Sequence, residues 1–273
     1  MKTVAAFGGL IHIRDIRVIS GSACVDPPGR KKIFPLSMKR QVLIFDLDGT
    51  LIDSRRDLAT GINLMRRHYG LGPLRVETVV SFVGEGIRNL VTRSLADASS
   101  RLRRPGSAGA LRPGKSASPR RVAVDLEEAV RLDSEYYRQH IHDETTLYPG
   151  VREGLDRLAR AGHALALLTN KPGQASREIL RHFEIEAHFA SIIGGDSGIP
   201  LKPEPEAVFA ILRAVGGERA DTWMVGDNHT DIATAHRAGI HSVFVTYGMG
   251  TLGPEKPERT VADFDAVTRM FLN

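Results

Sequence analysis

From Gln41 onward, short apolar runs that end at Gly, Asp, Thr or Asn alternate with segments of helical periodicity. Each run has the length of a strand, and its residues are apolar throughout rather than alternately apolar and polar, which is typical of strands buried on both faces of a parallel sheet. Helices between successive strands supply that cover. We therefore predict an α/β fold with a Rossmann-like parallel sheet as its core. The predicted strands are 42–45, 164–168, 191–193, 222–225 and 242–245, and the predicted helices of this core are 150–161, 173–183, 203–215 and 229–238.

A long departure from this alternation separates the first two strands. Residues 54–69, 76–96 and 122–141 have the spacing of amphipathic helices, with no strand between them. We expect an inserted α-helical cap domain over residues 54–146, and a core domain made of residues 39–53 and 147–273. Inside the cap, residues from about 97 to 121 are rich in Arg, Pro, Gly and Ser, which predicts a disordered basic loop.

Two segments account for the basic character of the chain. Residues 1–40 carry eight Lys and Arg against two acids, and residues 97–121 carry seven against Asp97 alone, whereas the whole chain has a net charge of only +5. The rest of the chain is therefore acidic, which argues against nucleic acid as the partner. Anion or nucleic-acid binding through the basic loop remains the non-enzymatic alternative, and a tolerated surface insertion is the simpler interpretation.

The first 38 residues precede the regular pattern. We expect them to be a leader that is disordered, or an upstream extension of a chain whose natural start is Met38. No apolar run approaches the roughly 20 residues of a membrane span, so no membrane association is predicted. Because Cys24 is the only cysteine, the chain has no intrachain disulfide, which favours a reducing compartment. We therefore predict a cytoplasmic protein. We also expect it to be either a monomer or a homodimer.

Polar clusters follow the predicted strands at the edge where parallel sheets bind ligands. Converging carboxylates repel one another unless a cation lies among them. Hard oxygen ligands without cysteine favour Mg²⁺, which also meets substrate phosphate. The clusters are Asp46-Leu47-Asp48-Gly49-Thr50, Thr169-Asn170-Lys171-Pro172, Lys202-Pro203 and Gly226-Asp227 with Asp231.

In this order, these four motifs resemble the signature of the haloacid dehalogenase (HAD) superfamily of phosphohydrolases. The resemblance covers about residues 41–250. It implies that Asp46 is the nucleophile that forms an aspartyl-phosphate, and that Asp48 is the general acid and base. It also implies Mg²⁺ ligation by Asp46, the Asp48 backbone carbonyl and Asp227, with Asp231 as a further ligand or a residue that orients the others. By themselves, Asp227 and Asp231 would better suit a helix cap with an exposed acid one turn later, and it is the other three motifs that favour the metal interpretation. The implied phosphate-binding residues are Thr169, Asn170 and Lys202.

The cap is expected to choose the substrate, because the core motifs contact only phosphate and metal. The stretch Val83-Gly-Glu-Gly-Ile-Arg-Asn-Leu90 between two cap helices resembles the glycine-rich specificity loop of phosphoglycolate-phosphatase-type members. Gly84, Glu85 and Arg88 are its candidate specificity residues, and Arg88 has the chemistry to pair with a substrate carboxylate. A surface salt bridge is an equally good interpretation of Arg88.

These observations predict a phosphatase for a small anionic phosphate ester, with 2-phosphoglycolate as the leading candidate. Three enzymatic alternatives use the same site: a phosphatase for another small ester, an inorganic pyrophosphatase, and a mutase resembling β-phosphoglucomutase. The mutase would have to exclude water from the aspartyl-phosphate.

Overall fold

The computed structural model describes residues 39–97 and 124–273. The predicted leader, residues 1–38, and most of the predicted basic loop lie outside these ranges. The strands in chain order are β1 (Val42–Phe45), β2 (Ile52–Asp53), β3 (Thr146–Leu147), β4 (Ala164–Leu168), β5 (Phe189–Ile193), β6 (Thr222–Gly226), β7 (His241–Val245) and β8 (Arg259–Val261). The helices within the described ranges are α1 (Arg55–His68), α2 (Val76–Val80), α3 (Ile87–Ala96), α4 (Leu126–Gln139), α5 (Val151–Arg160), α6 (Gly173–His182), α7 (Glu206–Val215), α8 (His229–Ala238) and α9 (Phe264–Leu272).

Six parallel strands form the main sheet in the order β5-β4-β1-β6-β7-β8. Strand β1 lies between β4 and β6, and Phe45 at its end is level with Leu167 and Val225. The residues that follow these three strands therefore emerge side by side at one edge of the sheet. This arrangement confirms the predicted α/β class with its parallel sheet.

Alternate residues of the buried strands face two separate apolar layers. Leu43 and Phe45 point into the layer that also contains residues of α5, α6 and α9. Val42 and Ile44 point into the opposite layer, which α7 and α8 cover. All four residues of β1 are buried, so the apolar run is explained by burial on both faces.

The helical insertion leaves and returns through a small antiparallel pair. Ile52 of β2 is opposite Leu147 of β3, and Asp53 is opposite Thr146. Helices α1 to α4 lie between these two strands in the chain. The division into a core and a cap at residues 53/54 and 146/147 remains a prediction that agrees with this connection.

The segment 76–96, predicted as helical, forms two helices, α2 and α3, and the glycine-rich stretch 83–90 that the sequence placed between two cap helices overlaps the break. Between them, Gly84 and Gly86 have φ angles of +117° and +86°, which an α-helix cannot contain. The helix predicted from residue 203 begins instead at Glu206, directly after Pro205. The C-terminal elements β8 and α9 and the β2/β3 pair were not predicted.

None of the helices in the described ranges is both long and apolar enough to span a membrane.

Candidate active site

The predicted polar clusters meet around a cavity of about 350 Å³ at the carboxyl end of the sheet. Asp46 continues the hydrogen bonding of its strand, since its backbone N–H donates to the carbonyl of Val225 at 3.0 Å. The backbone N–H of Thr169 likewise donates to the carbonyl of Ile193 at 3.1 Å. The sheet itself therefore fixes where these side chains start. The core residues from the predicted motifs that line the cavity are Asp46, Asp48, Thr169, Asn170, Lys171, Pro172, Lys202 and Asp227.

Three buried carboxylates form the centre of the site. Asp46, Asp227 and Asp231 each place one carboxylate oxygen within 4.8 Å of the others. Burial raises the pKa of Asp46 to about 6, although Lys202 opposes the shift. Burial, followed by the charge of Asp46, raises the pKa of Asp227 to about 7. The protein alone therefore disfavours the ionised form of both acids, and a divalent cation with oxygen preference fits this donor set and would stabilise that form.

Lys202 is the ammonium that joins two of these acids. Its Nζ lies 2.8 Å from Oδ1 of Asp46 and 2.6 Å from Oδ1 of Asp231. Burial alone would lower the pKa of Lys202, but Asp231 and Asp46 together raise it. The side chain is therefore held charged beside Asp46, where it also faces the cavity.

Asp231 uses both carboxylate oxygens within the protein. Its Oδ1 accepts from Lys202, and its Oδ2 accepts from the backbone N–H of Asn228 at 3.0 Å, which completes a capping box at the start of α8. This geometry favours the alternative in which Asp231 orients its neighbours over the one in which it binds a metal directly.

Asp227 is held by a loop that the sequence did not point to. The backbone N–H groups of Met249 and Gly250 donate to its Oδ2 at 2.8 and 2.7 Å, and the Thr50 hydroxyl donates to Oδ1 at 3.3 Å. Gly49 has a φ of +84°, and a Cβ on it would lie 2.0 Å from Oδ2 of Asp227. Only glycine lets the backbone after Asp48 come this close to Asp227.

Asp48 lies between a hydroxyl and a second ammonium. The Ser54 hydroxyl donates to Oδ1 of Asp48 at 2.5 Å, and Nζ of Lys171 donates to both carboxylate oxygens at 3.0 and 3.1 Å. The ring of Tyr137 from α4 lies 4.4 Å from the same Nζ. Sequence reasoning gave Lys171 no role, although it stands inside a motif that had been singled out.

Thr169 and Asn170 occupy different positions in the site. The Thr169 hydroxyl oxygen accepts from the backbone N–H of Lys171 at 3.2 Å, which leaves its proton to donate. The Asn170 amide is used internally: it donates to the carbonyls of Gly84 and Lys202 at 2.8 and 3.0 Å, and accepts from the backbone N–H of Lys202 at 2.8 Å. Asn170 therefore connects the cap loop at Gly84 with the core segment at Lys202 through hydrogen bonds.

Of the three predicted specificity residues, the structure places one at the cavity and two away from it. Gly84 lines the cavity, whereas Glu85 and Arg88 are not among the described residues that form its wall. Glu85 accepts from the side chain of Asn89, and Arg88 pairs with Glu127 on the surface of the cap. The structure thus shows the surface salt bridge and does not bring the Arg88 guanidinium to the cavity.

Helix α4 supplies the polar side chains on the cap side of the wall instead. Asp133, Ser134, Tyr137 and Arg138 line the cavity from this helix. Asp133 is buried, and its Oδ1 has no hydrogen-bond partner in the described part of the chain. Burial raises the pKa of Asp133 to about 7, with Lys171 opposing the shift. The spacing of four between residues 133 and 137 was available in the sequence, but nothing there indicated which helix face meets the core.

Comparison with known proteins agrees with this architecture. Residues 43–245 match the family model described as haloacid dehalogenase-like hydrolase. The chain is 34% identical to a protein of Chromobacterium violaceum named phosphoglycolate phosphatase, over 82% of this chain and 94% of that protein. It is also 34% identical to a Pseudomonas fluorescens protein of the same name, over 86% of this chain and 80% of that protein.

A solved structure shares the fold as well. The crystal structure of a protein from Haemophilus somnus 129PT, described as a predicted phosphoglycolate phosphatase, superimposes with a TM-score of 0.72 at 28% identity. The match covers 86% of this chain and 99% of that one. The family model spans residues 43–245, and the two relatives at 34% identity match over 94% and 80% of their own length, so the chain belongs to the haloacid dehalogenase-like hydrolases.

Proposed function

We propose that this chain is a Mg²⁺-dependent phosphatase that hydrolyses 2-phosphoglycolate through an aspartyl-phosphate on Asp46. The observation that carries the proposal is the pairing of Asp46 with a buried ammonium, Lys202, at 2.8 Å in a cavity that Asp48 also lines. A nucleophilic carboxylate, a phosphate-binding cation and a second carboxyl for proton transfer are what phosphate-ester hydrolysis requires. The relatives named phosphoglycolate phosphatase support the choice of substrate.

Asp46, the Asp48 backbone carbonyl and Asp227 would hold the Mg²⁺ ion. The raised pKa values of Asp46 and Asp227 support this assignment, because burial first, and neighbouring carboxylates second, disfavour the ionised forms that a bound cation would stabilise. Bound there, the ion would neutralise charge on the phosphate oxygens. Asp231 would act by holding Lys202 and the loop at Asn228 in place.

The reaction would proceed in two balanced steps. In the first, a carboxylate oxygen of Asp46 attacks phosphorus, the bond from phosphorus to the ester oxygen breaks, and Asp48 gives its proton to that oxygen. In the second, Asp48 takes a proton from water while the water oxygen attacks phosphorus, and the bond between Asp46 and phosphorus breaks. Lys202 and the Thr169 hydroxyl would bind the phosphate oxygens throughout.

We also propose a cytoplasmic location, since the single cysteine suits a reducing compartment. A monomer or a homodimer would serve this function equally well.

Phosphate release from 2-phosphoglycolate with Mg²⁺ tests the proposal. Wild-type protein should turn the ester over, a chelator should stop it, and Asp46→Asn should lower kcat roughly a thousandfold or more. Glu153→Gln, which changes an exposed acid on α5, is the matched control and should keep full activity. Turnover of pyrophosphate alone would indicate a pyrophosphatase, and isomerisation of a sugar phosphate without phosphate release would indicate a mutase.

A further inference from the structure

A second buried ammonium in the cavity has no part in the mechanism above. Lys171 lies two residues after Thr169, and only 5% of its side chain is exposed. Its Nζ contacts Asp48 at 3.0 Å on the core side, and the Tyr137 ring from α4 covers it at 4.4 Å. Burying a charged lysine costs free energy unless the charge is paired, so a lysine buried to this extent is a candidate for binding an anionic ligand.

We infer that Lys171 binds the carboxylate of the substrate and thereby makes the site selective for phosphate esters of small 2-hydroxy acids. This inference rests on the proposed function, and it names the residue that reads the group attached to the phosphate.

The position of Lys171 follows from the chemistry of such an ester. Asp48 must come within hydrogen-bond distance of the ester oxygen in order to protonate it. In a 2-phospho acid the carboxyl carbon is two bonds from that oxygen, so the carboxylate oxygens lie only about 3 Å from it. A cation that holds the carboxylate must therefore stand next to Asp48. The Lys171 ammonium does so, at 3.0 and 3.1 Å from the two oxygens of Asp48.

The charges of the cavity make such a cation necessary. Asp46, Asp48, Asp133 and Asp227 all line it, and an added carboxylate would be repelled by those that are ionised. Lys202 is already shared between Asp46 and Asp231. Lys171 lies against the carboxylate of Asp48 at 3.0 and 3.1 Å and, as an ammonium, has three protons to donate.

Two arginines of the cap, Arg88 and Arg138, are less well placed. Arg88 pairs with Glu127 and is not among the described residues of the cavity wall. Arg138 does line the cavity but is an exposed residue of α4. Both serve as comparison sites for the test.

Two substrates of nearly equal shape separate the possible roles of Lys171. One is 2-phosphoglycolate, and the other is 2-hydroxyethyl phosphate, in which a neutral hydroxymethyl group replaces the carboxylate. The measured quantity is the ratio of their kcat/KM values. Loss of a charge-assisted hydrogen bond should lower this preference for 2-phosphoglycolate by roughly 10- to 100-fold in Lys171→Met. Lys171→Arg should restore part of it, and Arg88→Ala should leave it within about twofold of wild type.

An equal loss on both substrates, with an unchanged ratio, would mean that Lys171 only positions Asp48, and would overturn the inference. Collapse of the ratio in Arg138→Ala but not in Lys171→Met would overturn it as well. If wild-type protein hydrolyses both esters but does not prefer 2-phosphoglycolate, the proposed substrate fails instead, and the inference with it. Thermal unfolding checks that each variant is folded, and Lys171→Gln provides the same comparison if the methionine variant is not.

Discussion

At the scale of single residues, Asp133 shows how the site affects the stability of the fold. The carboxyl group is 3% exposed and lies on the cavity wall, and its Oδ1 has no hydrogen-bond partner among the described residues. Burial raises its pKa to about 7, against an ordinary value of 3.8. The folded protein therefore retains a proton that the unfolded chain has lost between these two pH values, so the stability contributed by the protonated group falls as pH rises from about 4 to about 7.

The neutral variant Asp133→Asn should remove this pH dependence. Relative to wild type, its free energy of unfolding should be larger, that is, the variant should be more stable, at pH 8 than at pH 5 by roughly 2 to 3 kcal/mol. Urea denaturation at both pH values measures the difference. Glu128→Gln changes an exposed acid on the same helix and should show no such shift. A variant whose stability relative to wild type is the same at pH 5 and pH 8 would mean that the pKa of Asp133 is not raised into this range by folding.

Three of the residues predicted from the sequence owe their position directly to a strand. Asp46, Thr169 and Asp227 directly follow β1, β4 and β6, so the register of a parallel sheet is enough to bring them together. Lys171 and Met249 were missed for a physical reason. A lysine side chain reaches several ångströms in directions that local sequence does not specify, and Met249 contributes a backbone N–H, which every residue except proline also carries.

At the scale of elements, the sequence located the buried strands well and the short or exposed ones poorly. Strand β8 has three residues, none of them buried, so it lacks an apolar run. Helix α9 did carry a signal, because Asp263 caps it and Phe264, Val267 and Phe271 recur on its buried face. The break between α2 and α3 was indicated only by the glycine-rich stretch 83–90, since apolar periodicity continues across two glycines that adopt positive φ angles.

The glycine segment between α2 and α3 also contacts the core directly. The carbonyl of Gly84 accepts from the Asn170 side chain at 2.8 Å, and a Cβ on Gly84 would lie 2.7 Å from Nδ2 of Asn228. We predict that Gly84→Ala lowers kcat/KM about tenfold or more, because Asn170 and Asn228 both line the cavity. Its stability should fall by about 1 to 3 kcal/mol from backbone strain.

Gly70→Ala is the matched control for this variant. Gly70 also has a positive φ, of +67°, but a Cβ there would meet nothing within 4 Å. It should lose about 1 kcal/mol of stability and keep its kcat/KM. Equal kinetics for the two alanine variants would mean that the contact of Gly84 with the core is not needed for activity.

At the scale of the whole molecule, buried charged side chains are concentrated at one edge of the sheet, and the free energy gained elsewhere in the fold must offset the cost of burying them. Burial raises the pKa of Asp46 to about 6 and that of Asp227 to about 7, while Lys202 supplies one compensating charge. Both carboxylates cost stability once pH rises through these values, because the unfolded chain ionises them more easily. A divalent ion that binds the folded site alone would reverse this cost.

We therefore predict that Mg²⁺ stabilises the protein and that Asp227 is needed for the effect. At a concentration about 100 times its dissociation constant, a ligand that binds only the native state adds about 2.7 kcal/mol to the free energy of unfolding. Thermal unfolding in MgCl₂, compared with KCl of equal ionic strength, measures this stabilisation. The increase should be larger at pH 8 than at pH 5.5, since protons compete for Asp46 and Asp227 at the lower pH. Asp227→Asn should lose the increase while remaining folded without the ion, because its neutral amide removes a buried charge. If Mg²⁺ leaves the Tm of wild type unchanged, or raises the Tm of Asp227→Asn as much as that of wild type, the buried carboxylates are not the metal site.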